Sequence, residues 1–255
     1  MLKQILTHAR ERAANADGHV SELRRRSDAR GPARSLSGAL ARPGLRLIAE
    51  IKRKSPSAGV IDGSLDPRHQ ATAYVDGGAD AISVLTEPMY FGGSMSDLAA
   101  VRGVVDVPVL RKDFTMAPSQ VWEARAGGAD AVLLIVAALE QTVLENLISV
   151  ACSAGAEAIV EAHSPDEVVR AIDAGATIIG VNNRDLTTFT TDLAVAESIA
   201  PLLGAVEVTI AESGVSTSEG AKRMARAGYD AILVGEALVR SPHPAQLVRE
   251  LKGSA

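Results

Sequence analysis

Glu50 and Lys52 stand two residues apart in an apolar run from Leu45 to Ile51. A strand through that run points both side chains to one face. A carboxylate and an ammonium on one buried face can exchange a proton, and burying them is costly unless they are paired or used. Lys54, Ser55 and Ser57 follow in a loop with Pro56 and Gly59, so an anion could be held beside the pair. A plain ion pair at a strand end is the simpler alternative. It explains less, because the pattern recurs along the chain.

Six further apolar runs end in polar residues. One carries Ser83 and ends at Thr86-Glu87; another ends at Arg111-Lys112-Asp113. The others end at Glu161-Ala162-His163, Asn182-Asn183-Arg184-Asp185, Glu212-Ser213-Gly214 and Gly235-Glu236. Lys52, Lys112, Glu50, Glu161 and Glu212 form the candidate acid–base set. Lysines lowered by neighbouring lysines and glutamates raised by burial would suit proton transfer. No Ser/His/Asp arrangement is present. His163 suits a supporting or solvent-facing place, and His8, His19, His69 and His243 are scattered, so no metal site is expected. Cys152 is the lone cysteine, lies in a helical pattern and is expected to pack in the core.

A repeat positions these residues. Gly77-Gly78-Ala79-Asp80-Ala81 and Gly127-Gly128-Ala129-Asp130-Ala131 each precede an aliphatic run. Gly155-Ala156-Glu157, Gly175-Ala176-Thr177 and Gly228-Tyr229-Asp230 do the same. Each reads as a helix ended by glycine, a tight turn and a buried strand. Eight strands are expected at about 45–52, 81–87, 108–113, 131–137, 157–162, 177–183, 206–212 and 231–235. Helix starts fall at Asp66-Pro67, Pro118, Ser164-Pro165-Asp166, Asp192, Ser216–Glu219 and Pro244. The order implies an α/β fold, a (β/α)8 TIM barrel over 45–255 as a single catalytic domain, with a helical extension over 1–44. A doubly wound sheet is the alternative, but no GxGxxG or GxxxxGK[ST] occurs. In a barrel all these strand ends meet at one mouth. The loops after the seventh and eighth strands commonly hold phosphate there, which points to Gly214, Gly235 and the backbone N–H of Glu236, with Lys54 and Ser55 completing the cradle.

The composition fits a soluble globule: 47% hydrophobic, 22% charged and a net charge of −5. Nothing favours nucleic acid or a membrane, so the expected partner is a small phosphorylated molecule held by local cations. No signal-like apolar core opens the chain, a cytoplasmic location is expected, and no second catalytic unit is expected after the eighth helix. Arg24–Arg26 reads as a solvated face. A monomer is expected, with a weak dimer as the alternative.

The run Ile48-Ala49-Glu50-Ile51-Lys52-Arg53-Lys54-Ser55-Pro56-Ser57 resembles the signature of indole-3-glycerol-phosphate synthases. The resemblance extends through Ser83–Glu87, Phe91–Ser94, Leu110–Phe114, Leu133–Ile135, Val160–His163, Gly180–Leu186, Ala211–Gly214 and Leu233–Leu238. It implies closure, decarboxylation and dehydration of 1-(2-carboxyphenylamino)-1-deoxyribulose 5-phosphate, with no cofactor. It implies Lys112 as the acid for ring closure, partnered by Glu161, and Lys52 with Glu50 for dehydration. Asn182, Glu212 and Ser213 would position substrate and intermediates. Lys54, Ser55, Gly214, Gly235 and Glu236 would hold phosphate, Arg184 would face the anthranilate carboxylate, and Ser83 and Phe114 would contact substrate. Ser35-Leu36 and Ala162 depart from the usual Ser-Phe and Val. Two rivals remain. A phosphoribosylanthranilate isomerase would want a Cys and Asp pair at strand ends, and a catalytically dead barrel would have lost some of the acid–base set.

Overall fold

The glycine-marked joints form as the sequence implies. Gly78 and Gly128 adopt φ of +93° and +99°, which a side chain would resist, and Gly155, Gly175 and Gly228 share the left-handed conformation. The computed structural model describes residues 2–185 and 188–253. Leu186, the seventh residue of the Gly180–Leu186 motif, lies outside them.

Among the described residues, eight parallel strands close a barrel. These are β1 (Arg46–Ile51), β4 (Ala81–Leu85), β5 (Val109–Lys112), β6 (Ala131–Ile135), β7 (Glu157–Ala162), β8 (Ile178–Asn182), β9 (Val208–Glu212) and β10 (Ala231–Val234). Each pairs with its sequence neighbour, and β1 pairs with β10 to complete the ring. A small antiparallel hairpin, β2 (Lys54–Ser55) and β3 (Gly59–Val60), interrupts the loop after β1 and was not foreseen.

The outer helices are α4 (Pro67–Asp76), α5 (Met95–Arg102), α6 (Pro118–Gly127), α7 (Gln141–Ser153), α8 (Pro165–Asp173), α9 (Ala194–Ile199), α10 (Ser218–Arg226), α11 (Glu236–Arg240) and α12 (Pro244–Lys252). Asp66, Ser94, Ser164 and Thr217 cap four of them by accepting backbone N–H bonds.

Period-two alternation sorts each strand between two cores. Ile48, Leu110, Leu133, Ile159, Ile178, Ile210 and Leu233 fill the barrel interior. Leu47, Ala49, Ile82, Val132, Leu134 and Ile179 face the helices. The aspartates of the repeat have a separate role. Leu47 N–H donates to Asp80 (2.9 Å), Val109 N–H to Asp130 (2.9 Å) and Thr209 N–H to Asp230 (2.8 Å). Each carboxylate thus fastens its own strand to the one before it. Asp80 also takes an ion pair from Lys252 of the last helix at 2.7 Å.

The first residues do more than rest on the outside. Helices α1 (Leu2–Asp17) and α2 (Val20–Asp28) lie against α6. The short α3 (Leu36–Leu40) enters the base of the barrel, where Leu36 and Leu40 are fully buried in the interior core. Glu157, at the start of β7, accepts the backbone N–H groups of Leu36 and, at 3.0 Å, Ser37. Arg24, Arg25 and Arg26 are exposed as expected, although Arg24 stacks over the Trp122 ring at 4.8 Å. The Cys152 expectation fails: the thiol is exposed. The buried face of α7 is Leu144, Leu147 and Ala151, and the next residue turns about 100° away.

Candidate active site

The C-terminal ends of the strands surround a cavity of about 470 Å³. Its floor is a cluster of charges. Lys112 ends β5, and its ammonium donates to Glu212 of β9 and lies 3.3 Å from Glu161 of β7. Asn182 of β8 donates to the other Glu161 oxygen at 3.1 Å. Across the floor, Lys52 donates to Glu50 at 2.6 Å. The sequence spacing placed Glu50 and Lys52 on one face, and the structure does the same.

The protonation states differ from the expectation in part. Burial alone would lower Lys112, but Glu212, Glu161 and Glu50 outweigh it and hold the ammonium above the ordinary lysine value. The sequence could not show that carboxylates from three other strands surround it. Burial would raise Glu50, yet Lys52 and Lys112 keep it below the usual range. Glu161 is likewise held low against burial, by Lys112, His163 and Asn182. Glu212 goes the other way: burial pushes it up to about 7 against the pull of Lys112, with Glu161 and Glu50 adding to the rise. A buried carboxyl raised towards neutrality beside a protonated ammonium is an arrangement that can hold and return a proton.

Two glycines make room for this cluster. A Cβ on Gly180 would sit 2.1 Å from Glu212 Oε1, and that oxygen has no hydrogen-bond partner among the described residues. A Cβ on Gly235 would sit 2.5 Å from Glu50 Oε1 and 3.1 Å from Lys52 Nζ. Gly180→Ala should therefore push Glu212 off Lys112. Misplacement by about 1 Å can cost roughly 100-fold in rate. A kcat within a few-fold of the parent would show that the Glu212–Lys112 contact is not needed.

The rim carries the other candidates. Ser55, Phe114, Arg184, Ser213, Gly214 and Glu236 all line the cavity. Ser213 and Gly214 take positive φ of 64° and 86°, which turns the chain sharply after β9. Arg184 donates to Ser57 at 3.2 Å and to the Phe189 carbonyl at 3.1 Å, bridging the loops after β1 and β8. Glu236 is engaged by Arg240 at 2.9 Å, which offsets its charge near any bound anion.

Two candidates do not line the cavity. Lys54 donates to the Met89 carbonyl instead, and Ser83, in register with Glu50, is fully buried. Other strand-end residues have structural partners. Glu87 accepts the backbone N–H groups of Met89, Tyr90 and Phe91. Asp113 is held down to about 2 against burial by Arg12 and Arg111, and Arg12 reaches it from α1 at 2.7 and 2.9 Å. That pair anchors α1 beside Lys112, and Ile5 of α1 lines the cavity. Sequence reasoning missed Ile5, Phe91 and Phe189 in the lining, as well as Arg12. The one sequence signal for that face is the helical spacing of Ile5, Ala9 and Ala13. Among the described residues, no His/Cys/Asp/Glu group is arranged to hold a metal ion.

A sequence profile described as indole-3-glycerol phosphate synthase matches residues 2–251. The chain belongs to the indole-3-glycerol phosphate synthase family. A family member from Kineococcus radiotolerans is 49% identical over 98% of this chain and 94% of its own length. One from Mycolicibacterium smegmatis is 49% identical over 98% of this chain and 93% of its own length. Solved structures show the shared barrel at low identity. A 3-hexulose-6-phosphate synthase from Salmonella typhimurium superposes with TM-score 0.67 at 18% identity, covering 82% of this chain and 98% of that one. A thiamine phosphate pyrophosphorylase from Pyrococcus furiosus gives 0.63 at 18%, covering 86% and 97%. No helix among the described residues is long and apolar enough to cross a membrane.

Proposed function

We propose that the barrel mouth converts 1-(2-carboxyphenylamino)-1-deoxyribulose 5-phosphate to indole-3-glycerol phosphate, with loss of carbon dioxide and water, as family membership implies. The observation that carries the assignment of roles is Lys112, a buried ammonium between Glu161 and Glu212 on the cavity floor. Ring closure joins an aromatic carbon of the substrate to its ketone carbon. The ketone oxygen gains negative charge as the bond forms, and the Lys112 proton neutralises it. Glu212, poised near neutrality, can return a proton to Lys112.

Carbon dioxide then leaves from the ring carbon that carried the carboxylate. Dehydration needs an acid for the departing hydroxyl and a base for the ring proton. Lys52 and Glu50, 2.6 Å apart at the end of β1, fit those two roles. Phe91 and Phe114, with ring centroids 6.3 Å apart, offer an apolar wall for the aromatic ring. Arg184 at the rim suits the anthranilate carboxylate.

Phosphate would sit against the turn at Ser213–Gly214 and the start of α11. Gly235 is a poor probe for it, because a side chain there meets Glu50 and Lys52 first. Ala237, two residues further and also lining the cavity, is a cleaner one. Like charges about 4 Å apart near a surface repel by about 4 kcal/mol, and each 1.4 kcal/mol is tenfold. Ala237→Asp should raise KM by roughly several hundred-fold at low salt, less as ions screen the charges, with kcat little changed, and inorganic phosphate should stop competing. Unchanged KM and phosphate inhibition would place the anion elsewhere.

The activity itself is tested with the carboxyphenylamino-deoxyribulose phosphate and the purified parent. Indole fluorescence should appear together with carbon dioxide. An inert protein would favour the dead-barrel alternative.

A further inference from the structure

His163 follows β7 by one residue and is mostly buried between two carboxylates. Its Nε2 lies 3.3 Å from Glu161 Oε1 and its Nδ1 3.2 Å from Glu167 Oε2. Glu167 sits in the first turn of α8, behind the Ser164 cap, and its Oε2 also accepts the His163 backbone N–H at 2.7 Å. The loop, the cap and the ring therefore hold one another in place. His163 does not line the cavity, so it does not reach a substrate.

We propose that His163 is a positioning residue whose imidazolium, clamped between Glu161 and Glu167, keeps Glu161 a fixed anion beside Lys112. This rests on Lys112 being the acid of ring closure. A neutral ring would turn a lone pair on one of the two carboxylates, whereas the doubly protonated ring attracts both: Nδ1 is hydrogen-bonded to Glu167, and Nε2 meets Glu161 as a charge contact without hydrogen-bond geometry. The groups facing the ring are Glu161 and Glu167. Beyond Glu161 stand Lys112 and Asn182, and beyond Lys112 stand Glu212 and Glu50. Both carboxylates raise the His163 pKa against burial, to about 10.

The consequence is a division of labour between the two glutamates on Lys112. In a buried pair, an ammonium can neutralise its carboxylate by handing over the proton. Glu161 resists this, because it has a second cation and an amide donor. Glu212 has Lys112 and, among the described residues, no hydrogen bond to its other oxygen. Lys112 therefore exchanges its proton with substrate or with Glu212, while Glu161 fixes the ammonium in place. Without the imidazolium, Glu161 would compete for that proton.

The clamp is tested first without substrate. Imidazole NMR of the full chain should show one ring doubly protonated well above the ordinary value of about 6.5. That ring should be lost in His163→Gln. Every ring titrating near 6.5 would overturn the clamp whether or not the protein turns over substrate. In the kinetic arm, removal of such a supporting partner typically costs roughly 10–100-fold. His163→Gln should lower kcat by that factor, leave KM nearly unchanged and add an acidic limb to the kcat profile as Glu161 begins to titrate. His163→Arg should restore most of the loss. Glu167→Gln, on a partly exposed side chain, should shift the profile the same way by less. Activity lost with an unaltered pH profile, and equally in His163→Arg, would reduce His163 to a packing residue. A parent that does not turn over the substrate would refute the Lys112 reading, while the NMR result would still decide the clamp.

Discussion

Lys112→Met should lower kcat by roughly 100- to 10,000-fold, the usual cost of losing a general acid. Methionine keeps the length and apolar stem, so product should still bind to the folded fraction. The floor will not be indifferent to the change. Lys112 faces Glu50, Glu161 and Glu212, and removing it leaves three buried carboxylates with only Lys52 and His163 nearby. Breaking a buried pair on one side costs about 3–5 kcal/mol. The variant should therefore be less stable at neutral pH, and Glu161 and Glu212 should take up protons more readily. A second variant, Lys112→Met with Glu212→Gln, removes one of the stranded charges. It should recover stability without recovering rate. Recovery of both would mean that Lys112 matters for charge balance and not as the acid. Near-normal kcat in either variant would remove Lys112 from the first step.

Glu50→Gln and Lys52→Met should each stall the reaction after the ring has closed. The pair sits at the end of β1 and stands across the floor from Lys112. Glu50 is held ionised against burial by Lys52 and Lys112, which suits a base, and the 2.6 Å contact keeps an ammonium beside it to serve as the acid. Rapid quenching should show carbon dioxide released faster than indole forms, with a ring-closed species accumulating. The overall rate should fall by roughly 100-fold or more, as for other acid–base groups. Equal loss of both signals would place the pair in binding or in the first step. Glu50→Gln also frees Lys52 from its partner, so the two variants are informative only together. A deeper loss in Lys52→Met alone would assign the acid and leave Glu50 as its support.

Much of this was legible because the barrel writes itself into the chain repeatedly. The glycine turns and their aspartates mark the joints at Asp80, Asp130 and Asp230, and the apolar runs after them admit few other folds. The acid–base residues were visible because each breaks an apolar run at its end, where a closed parallel sheet gathers them. What was hidden depends on partners far apart in sequence. The bond from Arg12 to Asp113 spans 101 residues. The protonation of Lys112 depends on three strands that its own sequence does not describe. Lys54 misled for a local reason: it pairs with Val60 in the β2–β3 hairpin while Ser55 pairs with Gly59, so alternation turns the two side chains to opposite faces. Only Ser55 then reaches the cavity. The insertion of Leu36 and Leu40 into the base could not be read from a five-residue helix with no periodicity to measure.

The aspartate fastenings also bear on how the ring comes together. The bonds from Leu47 to Asp80, Val109 to Asp130 and Thr209 to Asp230 span 33, 21 and 21 residues, so each can form within one short stretch. The seam between β1 and β10 is of another kind, since Arg46 N–H donates to the Asp230 carbonyl across nearly the whole barrel. Contacts so distant bear the largest loop-closure entropy and are the slowest to form. Lys252 reaches Asp80 at the neighbouring β1–β4 joint, so the residue that fastens β4 to β1 is also the clasp for the last helix. The circle is thus hinged everywhere by neighbours and latched at one place by its two ends.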